Sequence, residues 1–595
     1  MPRWLPLPPL RRYPKDALGP DMLAAFTVLF LGVPQGLAYA TIAGLPPVVG
    51  LYAATIPAIV GSLFRSSPLV IAGPTNALSL LVGAGMADKM GVDPVATALT
   101  LALLVGVFQA ASGLLRLGAL VDFISTAVVL GYITGAGVLI GFGQLHNATG
   151  TSGPGGRIWV TTRGWLDQLG EASGMAVGVT LATVVLVIAA RWAEKRGGKR
   201  IPGAIVAMGL GLVANLVFGL ERHGLAVVSD LAPIPSGFPS LTVPDLSLAP
   251  SLIPLAVACA VLSLVESSSV ARSAASRTGS RLDASTEFFG QGLANLAAAF
   301  FGGYPISGSL ARSSLNERAG ARTRMSGVFG GLMMLGALAT LGPLLNHTPV
   351  ASLAGLMFVV AYDLIDVRRI RAAVRSSHED AAAFFATMFG TWAFSLDVAI
   401  YLGVGISLVL FLRRARLVRV TELAPEGPRL AEVPEDGAAP PNPIRLLHVE
   451  GSLFFGAAGE LREALSRVLA EPSTQVLVVR LKRASGLDAT TAGMLGELAE
   501  LSRAAGHHIV LAGVTARAYE VLQRSGALQR LGPSNVFQTR SQWFRALGAG
   551  LERAAELCPT GEHAFAAFLA TAKPEDPTGG AGSEHDTAPA STAQN

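Results

Sequence analysis

The stretch SPLVIAGPTNALSLLVGAG, residues 67–85, joins an extended apolar run to a short helical segment through Gly73-Pro74. About 20 helical residues are needed to span the hydrocarbon core of a bilayer, so this helix is too short to cross. A helix that begins inside a bilayer leaves backbone N–H groups without partners, which is tolerated where they face protein, water or a ligand. The stretch therefore predicts an interrupted membrane helix whose N-terminus faces a polar cavity.

The same pattern returns in the second half of the chain as AAFFGGYPISGSLARSSLNERAG, residues 298–320, in which Gly and Pro precede a short helix containing Arg312. Paired broken helices in corresponding positions indicate a transporter of inverted repeats with a site near the midplane. The two N-termini would offer N–H donors and positive dipole ends to an anion, and Arg312 adds a full charge. The alternative is that Gly and Pro only kink packed helices and that Arg312 extends to the cytoplasmic surface. The paired recurrence favours the site.

Composition places the chain in a membrane. Mean hydropathy is +0.51, and of the 595 residues 51% are hydrophobic and 14% charged, values that exclude a soluble chain of this length. We predict fourteen spans, several of them short: 22–44, 47–64, 69–86, 95–115, 120–142, 174–191, 202–220, 252–272, 286–301, 306–316, 326–345, 349–365, 381–396 and 397–412.

Basic residues predict the orientation of these spans. They collect on alternate connections, among them RWAEKRGGKR (191–200), VRRIRAAVR (367–375) and RRARLVR (413–419), while the opposite connections hold few. Positive charge collects on cytoplasmic loops. We therefore expect a multi-pass plasma-membrane protein, in bacteria an inner-membrane protein, with both termini cytoplasmic. The same asymmetry accounts for the isoelectric point near 9.3 without nucleic-acid binding.

After residue 419 the chain alternates strand and helix patterns that predict a small α/β domain with a largely parallel sheet. The last residues have few apolar side chains to bury and are expected to be disordered. The predicted division is a cytoplasmic N-terminal segment 1–21, a transmembrane domain 22–414, a linker 415–443, the α/β domain 444–557 and a disordered tail 558–595.

Other polar residues lie within the apolar spans. Gln35 and Tyr39 are four residues apart in the first span and share a helix face; the simpler alternative for Gln35 is a hydrogen bond to a neighbouring helix. Glu266 lies inside the eighth span, where an ionised carboxylate costs about 3 kcal/mol. It should face a cavity, a partner or a proton, which suits proton coupling; the alternative is a packing ion pair with an arginine.

The stretches VPQGLAYATIAGLPPVVGLYAATIPAIVGSLFRSS (33–67) and IAGPTNALSLLVGAG (71–85) resemble the signature of the sulfate permease (SulP) family of anion transporters, whose relatives include prestin and pendrin. The C-terminal part resembles the STAS domain of that family. The resemblance implies an α-helical polytopic membrane protein with fourteen transmembrane segments as 7+7 inverted repeats, in core and gate domains, plus a cytoplasmic STAS domain. It also implies elevator-like movement and a homodimer.

Carried over by position, the resemblance implies that the substrate-binding residues are Gln35, Tyr39, Thr75, Ser309, Leu310, Ala311 and Arg312, with Glu266 as the proton-coupling acid. Many relatives have serine where Ala311 stands here, so backbone donors must replace that hydroxyl. Sodium-coupled bicarbonate relatives add a hydroxyl at the position of Val270, so a proton is favoured over sodium as the coupling ion.

We therefore expect proton-coupled transport of a small inorganic or carboxylate anion, with sulfate favoured over bicarbonate, chloride and dicarboxylate. No catalytic triad or metal-ligand spacing is present in the sequence, so neither an enzyme nor a cofactor or metal site is expected. The alternatives are an anion exchanger or channel of the same family, a nucleobase-proton symporter of the same fold, and a regulatory scaffold whose STAS domain binds a cytosolic partner.

Overall fold

The computed structural model describes residues 13–87, 92–118, 125–152, 158–196, 203–235, 237–394, 396–434, 442–539, 545–558 and 562–572. The chain forms two compact units, Met1–Leu408 and Val409–Asn595. Each has its own apolar core, as expected for a membrane domain followed by a separate soluble domain.

The first unit is helical. Its helices are α1 (Leu18–Ile42), α2 (Pro47–Tyr52), α3 (Ile56–Phe64), α4 (Asn76–Ala87), α5 (Pro94–Leu114), α6 (Thr126–Gly143), α7 (Leu145–Thr149), α8 (Ile158–Asp167), α9 (Gly174–Lys195), α10 (Gly203–Phe218), α11 (Val228–Leu231), α12 (Ala249–Thr278), α13 (Ala284–Phe300), α14 (Leu310–Arg318), α15 (Met325–Leu345), α16 (Val350–Leu364), α17 (Val367–Ser376), α18 (His378–Ala393) and α19 (Leu396–Ala415), the last of which continues into the second unit. Two short strands, β1 (Ala72–Gly73) and β2 (Ser307–Gly308), precede α4 and α14.

Thirteen of the fourteen predicted spans each overlap one helix or a strand followed by a helix, and the span 47–64 contains two helices, α2 and α3; that all fourteen cross a membrane stays a prediction. Within the described residues, eight helical stretches are long and apolar enough to cross a membrane. Two of the shorter segments are the predicted broken helices: α4 has 12 residues and α14 has 9. The Pro46-Pro47 pair starts α2 rather than interrupting a longer helix, because proline is well tolerated at the first position of a helix.

The helices of the first unit form two groups. In the core group, α1, α3, α4, α5, α12, α13, α14 and α15 pack together; in the gate group, α6, α9, α10, α16 and α18 do so. Each group contains helices from both halves of the sequence, as inverted repeats require. In the core group α5 and α13 approach closely at glycines: a Cβ at Gly106 would lie 2.7 Å from the Leu296 nitrogen, and one at Gly292 would lie 2.4 Å from the Ala110 nitrogen.

The second unit is an α/β domain around a six-stranded sheet of order β4-β3-β5-β6-β7-β8. Its strands are β3 (Arg419–Glu426), β4 (Arg429–Glu432), β5 (Ile444–Ser452), β6 (Val476–Ser485), β7 (His508–Val514) and β8 (Val536–Gln538). Its helices are α20 (Ala458–Leu469), α21 (Ala489–Ala504), α22 (Ala516–Arg524), α23 (Ala527–Leu531), α24 (Arg545–Leu557) and α25 (Glu562–Ala572). Strands β5 to β8 are parallel, so the expected largely parallel sheet is present.

Two boundaries differ from the sequence prediction. The predicted linker 415–443 contains β3 and β4, which form an antiparallel hairpin, and β3 also pairs with β5. The predicted disordered tail 558–595 begins with α25, in which Phe565 and Phe568 are buried. In both places a few apolar side chains find partners that are distant in sequence; the rest of the tail, 573–595, lies outside the described residues.

Candidate functional site

The starts of the two short helices are held together by a two-residue antiparallel ladder. Ala72 pairs with Gly308 and Gly73 with Ser307, and the Ser309 nitrogen donates to the Ile71 carbonyl at 2.9 Å. Since each strand leads directly into its helix, the ladder fixes the N-termini of α4 and α14 relative to each other. Free N–H groups at helix N-termini favour an anion.

Arg312 connects the two broken helices. Its Nη2 donates to the Pro74 carbonyl at 2.6 Å, and the residue is 1% exposed. A Cβ on Gly73, where φ is +155°, would lie 2.2 Å from Arg312 Nη1, so only glycine fits beneath the guanidinium. The Nε atom is buried and has no hydrogen-bond partner among the described residues. The structure thus places a cation with an unused donor at the junction, rather than at a surface.

Glu266 reaches the other broken helix. Its Oε2 accepts a hydrogen bond of 2.9 Å from the Thr75 hydroxyl, while the Ser307 hydroxyl donates to the Ser263 carbonyl of α12 at 3.0 Å. Thr75 directly precedes α4, and Ser307 belongs to β2. The half-buried carboxylate in α12 thus contacts the residue that precedes α4, and no arginine partner of Glu266 is present among the described residues.

Helix α1 supplies the aromatic and amide groups. Tyr39 is 5% exposed and Gln35 is 6% exposed. Helix α1 packs against both broken helices, α4 and α14. Gln35 Oε1 is buried without a hydrogen-bond partner among the described residues. The structure thus brings Tyr39, Thr75, Glu266 and Arg312 together, and Gln35 lies one turn before Tyr39 on the same helix.

The remaining predicted positions lie at the start of α14. Ser309 is the N-cap residue, with its side chain accepting from the Arg312 nitrogen at 3.4 Å. Leu310 is 51% exposed and Ala311 is also exposed, so neither side chain is held by packing. At these two positions the backbone N–H group, not the side chain, can donate a hydrogen bond to an anion.

A polar scaffold beneath the junction was not predicted. Asn295 and Gln291 lie four residues apart in α13, and their side-chain nitrogens donate to the Ile306 carbonyl at 3.0 and 2.7 Å, while Asn295 Oδ1 accepts from the Ile306 nitrogen. Ser79 and Tyr304 share a hydrogen bond of 2.6 Å. The sequence did contain a signal for this scaffold, because two amides four residues apart in an apolar span share one helix face.

A second unpredicted feature is a buried ion pair. Arg65 Nη1 lies 3.7 Å from Glu287 Oε1, and both side chains are fully buried. Glu287 also accepts from the Ser67 nitrogen at 3.0 Å and from the Ser267 hydroxyl at 3.4 Å. Ser267 adjoins Glu266, so this pair braces the part of α12 that carries the candidate coupling residue.

A small cavity of about 20 Å³ adjoins Arg312 and is lined by apolar side chains and by glycines of α15, including Gly327 and Gly331. This volume suits a water molecule, which needs about 10 to 15 Å³, rather than an oxyanion. No group of three or more His, Cys, Asp or Glu side chains that could hold a metal ion occurs among the described residues.

Two family profiles match the chain: the Sulfate permease family over residues 18–387 and the STAS domain over residues 438–542. The chain is 28% identical over 523 residues to the Bacillus subtilis protein YvdB, whose name assigns it to sulfate transport, covering 87% of this chain and 95% of the relative. It is 27% identical over 553 residues to a sodium-independent sulfate anion transporter of Bos taurus, covering 88% of each chain.

Among solved structures, the chain resembles the murine Solute Carrier 26 family member A9 anion transporter in the inward-facing state. The TM-score is 0.80 at 21% identity, covering 92% of this chain and 93% of that chain. At this identity the likeness shows the fold: a helical membrane domain followed by a small α/β domain.

Proposed function

The chain belongs to the sulfate permease family, and on that premise we propose that it is a secondary transporter that moves small anions across the membrane, with sulfate as the favoured substrate and protons as the coupling ion. The observation that carries this proposal is the buried Arg312 between two half-helix N-termini, with a donor atom still unpaired. A buried cation without a carboxylate partner is costly, and a bound anion would remove that cost.

The substrate class follows from the chemistry of the junction. Backbone N–H groups and one guanidinium recognise charge and size, and Ala311 adds no hydroxyl. Sulfate is favoured because the related proteins named above carry sulfate in their names and because a dianion gains most from a buried cation. Bicarbonate, chloride and small dicarboxylates fit the same chemistry.

Proton coupling follows from the position of Glu266. An ionised carboxylate that contacts Thr75 would repel an anion bound at the start of α4, and this repulsion is strong in a poorly hydrated site. Protonation removes the repulsion, so a proton and an anion would each favour binding of the other. This linkage would let a proton gradient promote anion loading on one side of the membrane, which supports symport.

We further propose an elevator-like movement of the core group past the gate group. The ladder between β1 and β2, the hydrogen bond from Arg312 to Pro74 and the glycine contacts of α5 with α13 support a core that moves as one body. In the gate group, Arg191 and Asp363 form a two-bond ion pair at 2.7 and 2.6 Å between α9 and α16, which supports a second rigid body.

The remaining proposals concern assembly and orientation. The distribution of basic loops supports a plasma-membrane protein with both termini cytoplasmic. Family membership supports a homodimer, and the α/β domain offers a surface for a cytosolic partner. Cross-linking in native membranes and labelling of single cysteines placed in loops test these points.

The test of function is uptake into proteoliposomes of radiolabelled sulfate, bicarbonate, chloride and a dicarboxylate, each with and without an inward proton gradient. We expect saturable sulfate uptake that the gradient accelerates, and its loss in Arg312→Gln. The matched control is Arg222→Gln, which removes an exposed arginine of the same unit. Uptake of none of the four anions would contradict the proposal, and gradient-independent flux would point to the exchanger or channel alternative.

A further inference from the structure

The connection between α16 and α18 is a strongly amphipathic helix. Helix α17 has the sequence VRRIRAAVRS, and Arg368, Arg371 and Arg375 follow one another at spacings of three and four residues. Residues at these spacings share a helix face. All three are exposed, as is Arg369, and no residue of α17 is buried.

The opposite face of α17 is fixed against protein. Ile370, Ala373 and Val374 pack against a cluster formed by Ala127, Leu130 and Phe384 of α6 and α18. Because this apolar face is already occupied, the arginine face must point away from the gate group. The rotation of the helix is therefore set by packing.

Three arginines of this face, Arg368, Arg371 and Arg375, have no acidic partner among the described residues. Asp366 caps the helix by accepting from the Arg368 and Arg369 nitrogens, and its carboxylate lies 3.3 Å from Arg369 Nε. Among the described residues, Arg368, Arg371 and Arg375 form no ion pair. The charges of these three arginines are therefore available to an anionic partner that is not part of the described chain.

The position of α17 indicates what neutralises them. Helices α16 and α18 correspond to the predicted spans 349–365 and 381–396, and the basic connection 367–375 lies between them, so the predicted topology places α17 at the cytoplasmic membrane surface. Exposed apolar side chains adjoin it: Tyr362 is 78% exposed and Val367 is 57% exposed. Clusters of basic residues directly beside a membrane-spanning helix bind the headgroups of anionic lipids.

We propose that the arginine face of α17 binds the headgroups of anionic phospholipids in the leaflet on its side of the membrane. The ligand class is a lipid phosphate with net negative charge, such as phosphatidylglycerol. Since α17 follows the helix that carries Asp363, the partner of Arg191, bound lipid would hold this end of the gate group at the bilayer surface.

The test places a bimane fluorophore on a cysteine at Ala372, an exposed position among these arginines. Cys259 and Cys558 are buried, so the label goes to residue 372. The full chain is reconstituted in phosphatidylcholine containing a small fraction of brominated phosphatidylglycerol or brominated phosphatidylcholine, and quenching gives the relative association of each lipid. Each basic residue near an anionic surface contributes about fivefold to attraction.

We expect brominated phosphatidylglycerol to quench more strongly than brominated phosphatidylcholine. The triple variant Arg368→Gln, Arg371→Gln, Arg375→Gln should reduce this preference at least about tenfold. The matched control neutralises three exposed arginines of the α/β domain, Arg462, Arg517 and Arg524, and should keep it. Equal quenching by the two lipids, a preference that survives in the triple variant, or absence of quenching because protein covers α17 would each overturn the proposal. None of these readouts depends on transport.

Discussion

The sharpest prediction concerns the charge of Arg312. Replacing it by glutamine removes the cation and keeps a polar side chain, but the shorter amide does not extend as far as the guanidinium that now donates to the Pro74 carbonyl at 2.6 Å. Because the arginine is 1% exposed, its charge is poorly screened by water or salt. We expect Arg312→Gln to weaken binding of a divalent anion much more than binding of a monovalent one.

The magnitude follows from Coulomb's law. One pair of unit charges about 4 Å apart interacts by about 4 kcal/mol at an effective dielectric constant of about 20. Sulfate carries one charge more than chloride, so this value is the upper bound on the difference between them. We expect sulfate affinity to fall at least about tenfold further than chloride affinity, a difference of about 1.4 kcal/mol. Gln35→Leu should instead weaken both by a similar factor, about 1 to 3 kcal/mol.

The measurement is equilibrium binding of radiolabelled sulfate to the purified protein, with chloride affinity obtained by competition, or nitrate affinity if chloride does not bind. Arg312→Lys, which keeps the charge, should retain most of the preference for sulfate, and Arg222→Gln should leave both affinities unchanged. If Arg312→Gln changes neither affinity, or weakens both equally, the arginine does not face the anion and its role is to join the two repeats.

Four further predictions follow from single features. Glu266→Gln should retain sulfate exchange at equal pH but lose acceleration by an inward proton gradient; stimulated uptake in this variant would remove Glu266 from coupling. Gly73→Ala, whose Cβ would lie 2.2 Å from the Arg312 guanidinium, should abolish sulfate binding and lower the melting temperature, whereas Gly405→Ala, which meets no atom within 4 Å, should do neither. Deleting all residues from Arg416 onward, after the end of α19, should leave a foldable membrane unit with impaired dimerisation or turnover; a dimer with full uptake would show the α/β domain to be dispensable. Burial lowers the pKa of His448 in the α/β domain, so the unfolding free energy of that domain, measured by urea titration, should fall as pH drops below about 6.5. The variant His448→Gln should flatten this pH dependence, and an unchanged slope would show that other groups cause it.

The sequence predicted the broken helices because their signals are local. Gly73-Pro74 and Pro305 each lie shortly before a helix that is too short to span a bilayer, and the length of that helix can be read from the sequence. The scaffold at Ile306 was not predictable in this way. Asn295 and Gln291 could be placed on one helix face, but the carbonyl they bind lies beyond a chain reversal, and the sequence does not say which backbone group returns to that face.

In the α/β domain, too, the sequence predicts local patterns better than pairings between segments that are distant along the chain. The strands β6 and β7 begin with apolar runs that fit the predicted α/β pattern, whereas β3 and β4 lie in the predicted linker 415–443, most of which is rich in Pro, Glu and Gly. The hairpin forms because Gly427, at a φ of +60°, and Pro428 make a two-residue turn between the paired residues Glu426 and Arg429, and because β5 offers an open edge to β3. Edge pairing of this kind is decided by the partner strand, not by the composition of the strand that joins it.

The two charged residues of the candidate site act on the same helix start in opposite senses. Arg312 reaches the Pro74 carbonyl and Glu266 reaches the Thr75 hydroxyl, so both charges lie within two residues of the first turn of α4. A fixed cation there favours any anion, whether or not a proton is present. A carboxylate that can be protonated makes that attraction conditional, because an anion and an ionised Glu266 compete for one N-terminus. On the proposed function, Arg312 therefore sets how tightly an anion is held, and Glu266 sets how strongly its binding depends on a proton.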